Sequence, residues 1–117
     1  MADSSHAADL VLDATEQRVL GALLEKQVTV PSTYPMSLNA LRLACNQATS
    51  RDPITEFADT TVQECLRGLR LRDLVRVVHG DRVLKYHQLL ADRLALADDE
   101  RALITVLLLR GAQSPGE

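Results

Sequence analysis

From residue 13 onward, apolar residues recur at helical spacing. Asp13, with Glu16 three places on, has the form of a capping box, and Val19, Leu20, Leu23 and Leu24 then fall on one face of a helix running to about Lys26. Val28 and Val30 flank Thr29 in alternation before Pro31, which predicts a short strand and then a turn through Ser32, Thr33 and Tyr34. Pro35 and Ser37 open a second helix, with Leu38, Leu41, Cys45 and Ala48 as its buried stripe and Asn39, Arg42 and Asn46 on another side. The run Thr49, Ser50, Arg51, Asp52, Pro53 ends it, because the residue before a proline is pushed out of the helical region. A third helix starts near Asp59 or Thr60, turns Val62, Cys65, Leu66 and Leu69 inward, and stops at Asp73 in the left-handed region.

Between Leu74 and His87 the period changes from helix to strand. With Gly80 and Asp81 in the turn, Val75, Val77, Leu84 and Tyr86 share one face of a β-hairpin, and Arg76, Val78, Val83 and Lys85 the other. The fold class is therefore mainly α with a small β-hairpin (α+β). Helix, short strand, helix, helix, hairpin is the order of a winged helix-turn-helix domain, whose third helix commonly reads the major groove and whose hairpin is the wing. Residues 1–12 read as a mobile tail, 13–90 as this first domain and 91–97 as a linker.

After the linker the pattern starts again. A shift of 84 places sets Glu16 on Glu100, Val19 and Leu20 on Leu103 and Ile104, Leu23 and Leu24 on Leu107 and Leu108, and Pro31 on Pro115. Ser114, Pro115, Gly116 and Glu117 form a further helix-start signal. Residues 98–117 thus read as the opening of a second winged-helix domain, a truncated copy in tandem. The helix from Asp98 to Arg110 carries Leu103, Ile104, Val106, Leu107, Leu108 and Leu109, apolar nearly all round, so it has to be covered by a homo-oligomer or by the rest of a longer protein.

The string from Glu16 to Lys26, the stretch from Tyr34-Pro35 through Ser37-Leu38-Asn39-Ala40-Leu41 to Ala44-Cys45-Asn46-Gln47, and Ser50-Arg51-Asp52-Pro53 resemble the YceH family of bacterial proteins. Arg82-Val83, Lys85-Tyr86, Leu107 to Gly111 and Ser114 to Glu117 continue the likeness, which covers about residues 12 to 117. The resemblance implies two winged-helix domains in tandem, about twice this length in full, and no established biochemical role. The chain departs from the family pattern at Asp73, where a glycine commonly ends helix three, and at Ala97, where a serine often caps the last long helix. Asp98 is expected to replace that cap.

Composition sets outer limits on function. With 117 residues, 46% hydrophobic, 25% charged and 3% aromatic, the chain suits one Leu-rich globular core. No apolar stretch reaches the roughly 18 residues that span a bilayer, and Met1 to Asp9 lack a signal-peptide pattern, so a cytoplasmic protein without membrane contact is expected. Cys45 and Cys65 lack the paired spacing of a zinc site and read as buried free thiols, while His79 and His87 fall near opposite ends of the hairpin, about 15 Å apart. Glu25 and Lys26 read as a solvated helix end. There is no Gly-rich phosphate loop, HExxH or GxSxG motif, so neither an enzyme nor a small-molecule cofactor is expected.

Local charge singles out one region. From Val62 to His87 the basic residues Arg67, Arg70, Arg72, Arg76, Arg82 and Lys85 face Glu64, Asp73 and Asp81, a net of +3 in a chain of net charge −3. Gln63, Arg67 and Arg70 lie off the apolar stripe of helix three, as base-edge or phosphate donors would, and Arg76, Arg82 and Lys85 on the wing suit backbone phosphates. These six are the candidate nucleic-acid-binding residues, with duplex DNA as the partner. The alternative is a protein-interaction or scaffold module with no nucleic acid, contacting a protein partner through Leu43, Val78 and Val83. Asn39, Arg42, Asn46, Arg51 and Asp52 are expected to fasten the loop after helix two rather than to form a ligand or nucleic-acid surface.

Overall fold

In a computed structural model, residues 10–111 are described; the expectations for residues 1–9 and for Ser114 to Glu117 lie outside them. The first helix, α1 (Ala14–Thr29), begins at the reciprocal cap: Asp13 Oδ1 accepts from the Glu16 amide at 2.8 Å and Glu16 Oε1 accepts from the Asp13 amide at 2.9 Å. It continues past Lys26, so the strand expected at Val28 to Val30 is absent. The Val30 amide still donates to the Lys26 carbonyl at 2.9 Å and the Thr29 hydroxyl to the Glu25 carbonyl at 3.0 Å, which closes the last turn as helix. A 3₁₀ turn (Pro31–Thr33) follows.

The short strand lies further on. β1 (Met36–Ser37) leads directly into α2 (Leu38–Asn46), whose first turn is capped by Ser37 Oγ accepting from the Ala40 amide at 3.2 Å. Helix two ends at Asn46, leaving Ala48 exposed beyond it rather than in the buried stripe. α3 (Asp59–Leu71) starts where the sequence predicts. It ends in a Schellman motif, with the Leu74 amide on the Leu69 carbonyl at 2.9 Å, the Asp73 amide on the Arg70 carbonyl at 3.1 Å, and Asp73 left-handed at φ 58°.

β2 (Val75–His79) and β3 (Leu84–Gln88) form the hairpin, and β1 pairs with β3, giving an antiparallel sheet of order β1-β3-β2. The register Val77↔Tyr86 and Val78↔Lys85 puts Val75, Val77, Leu84 and Tyr86 on one face as expected, with Arg76 and Lys85 on the other. Val83 belongs to the turn, where its carbonyl accepts from the Gly80 amide at 3.2 Å. The core lies between that sheet face and the helices: Val19, Leu20, Leu23 and Leu24 of α1 meet Leu41 and Cys45 of α2, Val62, Leu66 and Leu69 of α3, and Leu74, Val75 and Tyr86. Each such side chain contributes about 1.5–3 kcal/mol by leaving water. Leu10 and Leu12 also pack against this core, and the Val11 carbonyl accepts from Arg72, so residues 10–12, expected as tail, are tied down.

The 91–97 stretch is not a plain linker, since α4 (Leu90–Arg93) enters it before α5 (Asp98–Arg110). Asp98 does not replace the missing cap; Asp99 Oδ1 accepts from the Glu100 amide at 2.9 Å instead, and the Ala97 amide donates to Glu100 Oε1 at 2.8 Å. α5 packs on α1 at Gly21, where an added Cβ would stand 2.8 Å from Leu109 Cδ2 and 3.1 Å from Leu108 Cβ. Leu109 is buried there, while Leu103, Val106 and Leu107 stay 60%, 49% and 38% exposed.

Two buried arginines hold the loop between α2 and α3. Arg18 donates to the carbonyls of Cys45 at 3.1 Å and Pro53, and to Thr55 Oγ1 at 3.0 Å. Burial and then the charge of Arg51 lower its pKa. Arg51 donates to the Ala44 carbonyl at 3.0 Å and to both Glu25 oxygens, at 2.7 and 3.2 Å. Asn46 accepts from the Phe57 amide at 2.8 Å and donates to its carbonyl at 3.0 Å, while the Asp52 amide donates to the Leu109 carbonyl at 3.0 Å. Arg51 and Asn46 thus fasten the loop as expected, whereas Asp52 contributes its backbone amide, and Asn39 and Arg42 bond each other and Asp59 of α3 rather than the loop. Glu25, however, is not a solvated helix end: burial pushes its carboxyl up, but the Arg51 guanidinium, aided by Lys26, outweighs that and holds it below its ordinary value.

Candidate nucleic-acid interface

The site is assembled on α3 because its apolar residues recur on one side and leave the other to water. Val62, Leu66 and Leu69 are buried, so Gln63, Arg67 and Arg70 project outward along one stripe, and all three are exposed. Among the described residues neither Arg67 nor Arg70 forms a hydrogen bond or ion pair. Their guanidinium donors are therefore available to phosphate oxygens or base edges. The acidic first turn of α3 is neutralised from α2: Arg42 Nε stands 2.6 Å from Asp59 Oδ1, while Arg42 Nη2 donates to Asn39 at 2.9 Å.

Arg72, counted in the basic run, is withdrawn from it. Its Nη1 lies 3.1 Å from Glu16 Oε2 and its Nη2 donates to the Val11 carbonyl at 2.9 Å, so it anchors α3 to the start of α1. The remaining wing cations are distributed over two places. Arg82 is exposed in the turn, whereas Arg76 and Lys85 lie on the sheet face turned from the core. Lys85 is half-buried, its stem passing near Gly80, where an added Cβ would stand 3.7 Å from Lys85 Cε.

Arg76 sits electrostatically with an aromatic pair rather than with the α3 stripe. The rings of Tyr34 and His87 meet edge to face at 5.4 Å, and Tyr34 Oη accepts from the Gln88 amide at 2.8 Å. Burial pushes the Tyr34 phenol up to about 12. Burial, followed by the charge of Arg76, lowers the pKa of His87, which keeps the imidazole neutral at pH 7. Burial also raises the Cys45 and Cys65 thiols to about 12, so both stay protonated and unreactive. Among the described residues no three His, Cys, Asp or Glu side chains group closely enough to hold a metal, and no helix is long and apolar enough to cross a membrane.

The sequence pattern of the family described as "Protein of unknown function, DUF480" matches residues 12–117. The chain belongs to this family. Among its DUF480 relatives, a UPF0502 protein of Yersinia pseudotuberculosis serotype O:1b is 53% identical over 110 residues, covering 91% of this chain and 47% of that protein. A UPF0502 protein of Pelobacter propionicus is 48% identical over 110 residues, covering 93% of this chain and 50% of that protein. The UPF0502 protein YceH of Salmonella paratyphi B is 50% identical over 112 residues, covering 91% and 52%. The YceH resemblance read from the motifs is thus correct, and the chain spans about half the length of these DUF480 relatives.

Sequence reasoning overlooked Arg101. It borders a cleft between α1 and α5 and donates to Gln27 Oε1, which also accepts from Gln88 Nε2 at 3.0 Å. The available signal was an arginine followed by Thr105 at i+4 in the otherwise apolar stretch between Glu100 and Arg110.

Proposed function

We propose that this chain is a non-enzymatic winged-helix module that docks on duplex DNA, with Gln63, Arg67 and Arg70 of α3 entering the major groove and the hairpin, Arg82 foremost, holding backbone phosphate. The observation that carries the reading is the exposed α3 stripe whose two arginines have no partner among the described residues. Support for the fold comes from the order α1, β1, α2, α3, hairpin with β1 closing on β3, the arrangement expected of a winged helix. The tandem reading draws support from α5. Its exposed Leu103, Val106 and Leu107 are 84 places from Val19, Ala22 and Leu23, all fully buried in α1, and Glu100 bonds the Ala97 amide as Glu16 bonds the Asp13 amide. In this reading α5 is the first helix of a second copy, whose remaining elements cover those three side chains.

Replacing Arg67 and Arg70 by Ala in the full-length protein is expected to weaken DNA binding and relax sequence preference. Arg82→Ala or Lys85→Ala weakens binding evenly across sequences and flattens the salt dependence by about one unit per lost phosphate contact. Binding that is indifferent to all four substitutions contradicts the reading. Protein association is favoured as the second reading by Leu43 and Val83, 55% and 51% exposed.

A further inference from the structure

We propose that the cleft between α1 and α5 binds a small amphipathic carboxylate, its apolar body held between the helices and its carboxylate taken by Arg101. The cleft has a volume of about 530 Å³, within the range of about 300–1,000 Å³ usual for small-molecule sites. Leu24 and Val28 of α1 and Ala102, Val106 and Leu109 of α5 give it apolar walls. Arg101 supplies the polar group that would fix a ligand's orientation. Its Nη2 is held by Gln27, but its Nε is buried without an acceptor, and it forms no ion pair among the described residues. The guanidinium therefore has no opposing charge beside it, and a carboxylate in the cleft supplies one.

Charges around the cleft favour an anion over a cation. Glu25, on the opposite wall, is committed to Arg51 and Lys26, which leaves Arg101 uncompensated. Asp98 also borders the cleft, but it is exposed in the first turn of α5, where water and salt screen it. The cleft meets the exposed apolar side of α5 at Val106, which lines the one and belongs to the other. At about 100° per residue, Thr105 in the cleft wall lies about 160° around the helix from both Leu103 and Leu107, so a segment covering those leucines borders the cleft on its Val106 side and not on its Thr105 side. This inference stands independently of the DNA reading.

Calorimetric titration of octanoate into the full-length protein, with octylamine and octanol as controls of equal chain length, tests it. Octanoate is expected to bind saturably and at least tenfold more tightly than either control. Arg101→Gln should weaken it at least tenfold, and Ala102→Phe, which fills the cleft while keeping the guanidinium, should do the same. Methyl NMR on the unsubstituted protein should place the octanoate-induced shifts at Leu24 and Val28, a readout that needs no variant to fold. Absence of octanoate binding at millimolar concentration, equal binding of a control, full affinity in both variants, or shifts confined to other methyl groups overturns the proposal.

Discussion

Asp73 shows how a single residue can be read correctly and still sit badly. Its left-handed φ of 58° is what the Schellman motif demands after α3, and an L-residue is less comfortable there than glycine. Its side chain makes no hydrogen bond among the described residues, so Asp73→Gly should stabilise the fold by about 0.5–1 kcal/mol, seen as a rise of a few degrees in the thermal midpoint. A lowered midpoint would contradict this account of the helix end. The opposite lesson comes from Arg72 and Glu25. Arg72 was counted in the basic run and Glu25 was read as a solvated helix end, yet their partners, Glu16 and Arg51, are 56 and 26 residues away along the chain. Nothing in local spacing announces such pairs.

At the scale of elements, two helix-interior glycines make opposite predictions. A Cβ at Gly68 in α3 meets nothing within 4 Å, so Gly68→Ala should stabilise by the usual helix-propensity gain of about 1 kcal/mol. At Gly21 the same methyl would meet Leu109 Cδ2 at 2.8 Å, forcing α5 away and costing about 1–3 kcal/mol despite the propensity gain. Thermal melts of the two variants, with hydrogen exchange across α5, check the pair; stabilisation by Gly21→Ala would mean that α5 is not seated as described. The helices, the two faces of the hairpin and the α3 stripe were legible because periods of 3.6 and 2 are local properties. The strand was not. Val28-Thr29-Val30 alternates like a strand, but β-branched residues carry only a small helix penalty, and α1 simply runs on to Thr29. β1 is two residues long and exists only because β3, some 50 places later, pairs with it; a segment that short has no period to read.

For the whole molecule, charge decides how the candidate interface works. The basic run from Val62 to His87 is embedded in a chain of net charge −3, and with Arg72 bound to Glu16 its outward cations are Arg67, Arg70, Arg76, Arg82 and the half-buried Lys85. Sequence reasoning placed Arg67 and Arg70 on α3 and Arg76 and Lys85 on the outer sheet face, but it missed that Arg82 lies in the turn between the strands and that Arg72 is taken by Glu16. A few phosphate contacts opposed by a negative surround imply modest, steeply salt-dependent binding. The most direct measurement is a titration of the full-length protein against a pool of random duplex DNA, from low salt upward. The account predicts retention above that of an equally sized acidic control protein, with log K falling linearly as log salt rises; retention no greater than the control at low salt would contradict it.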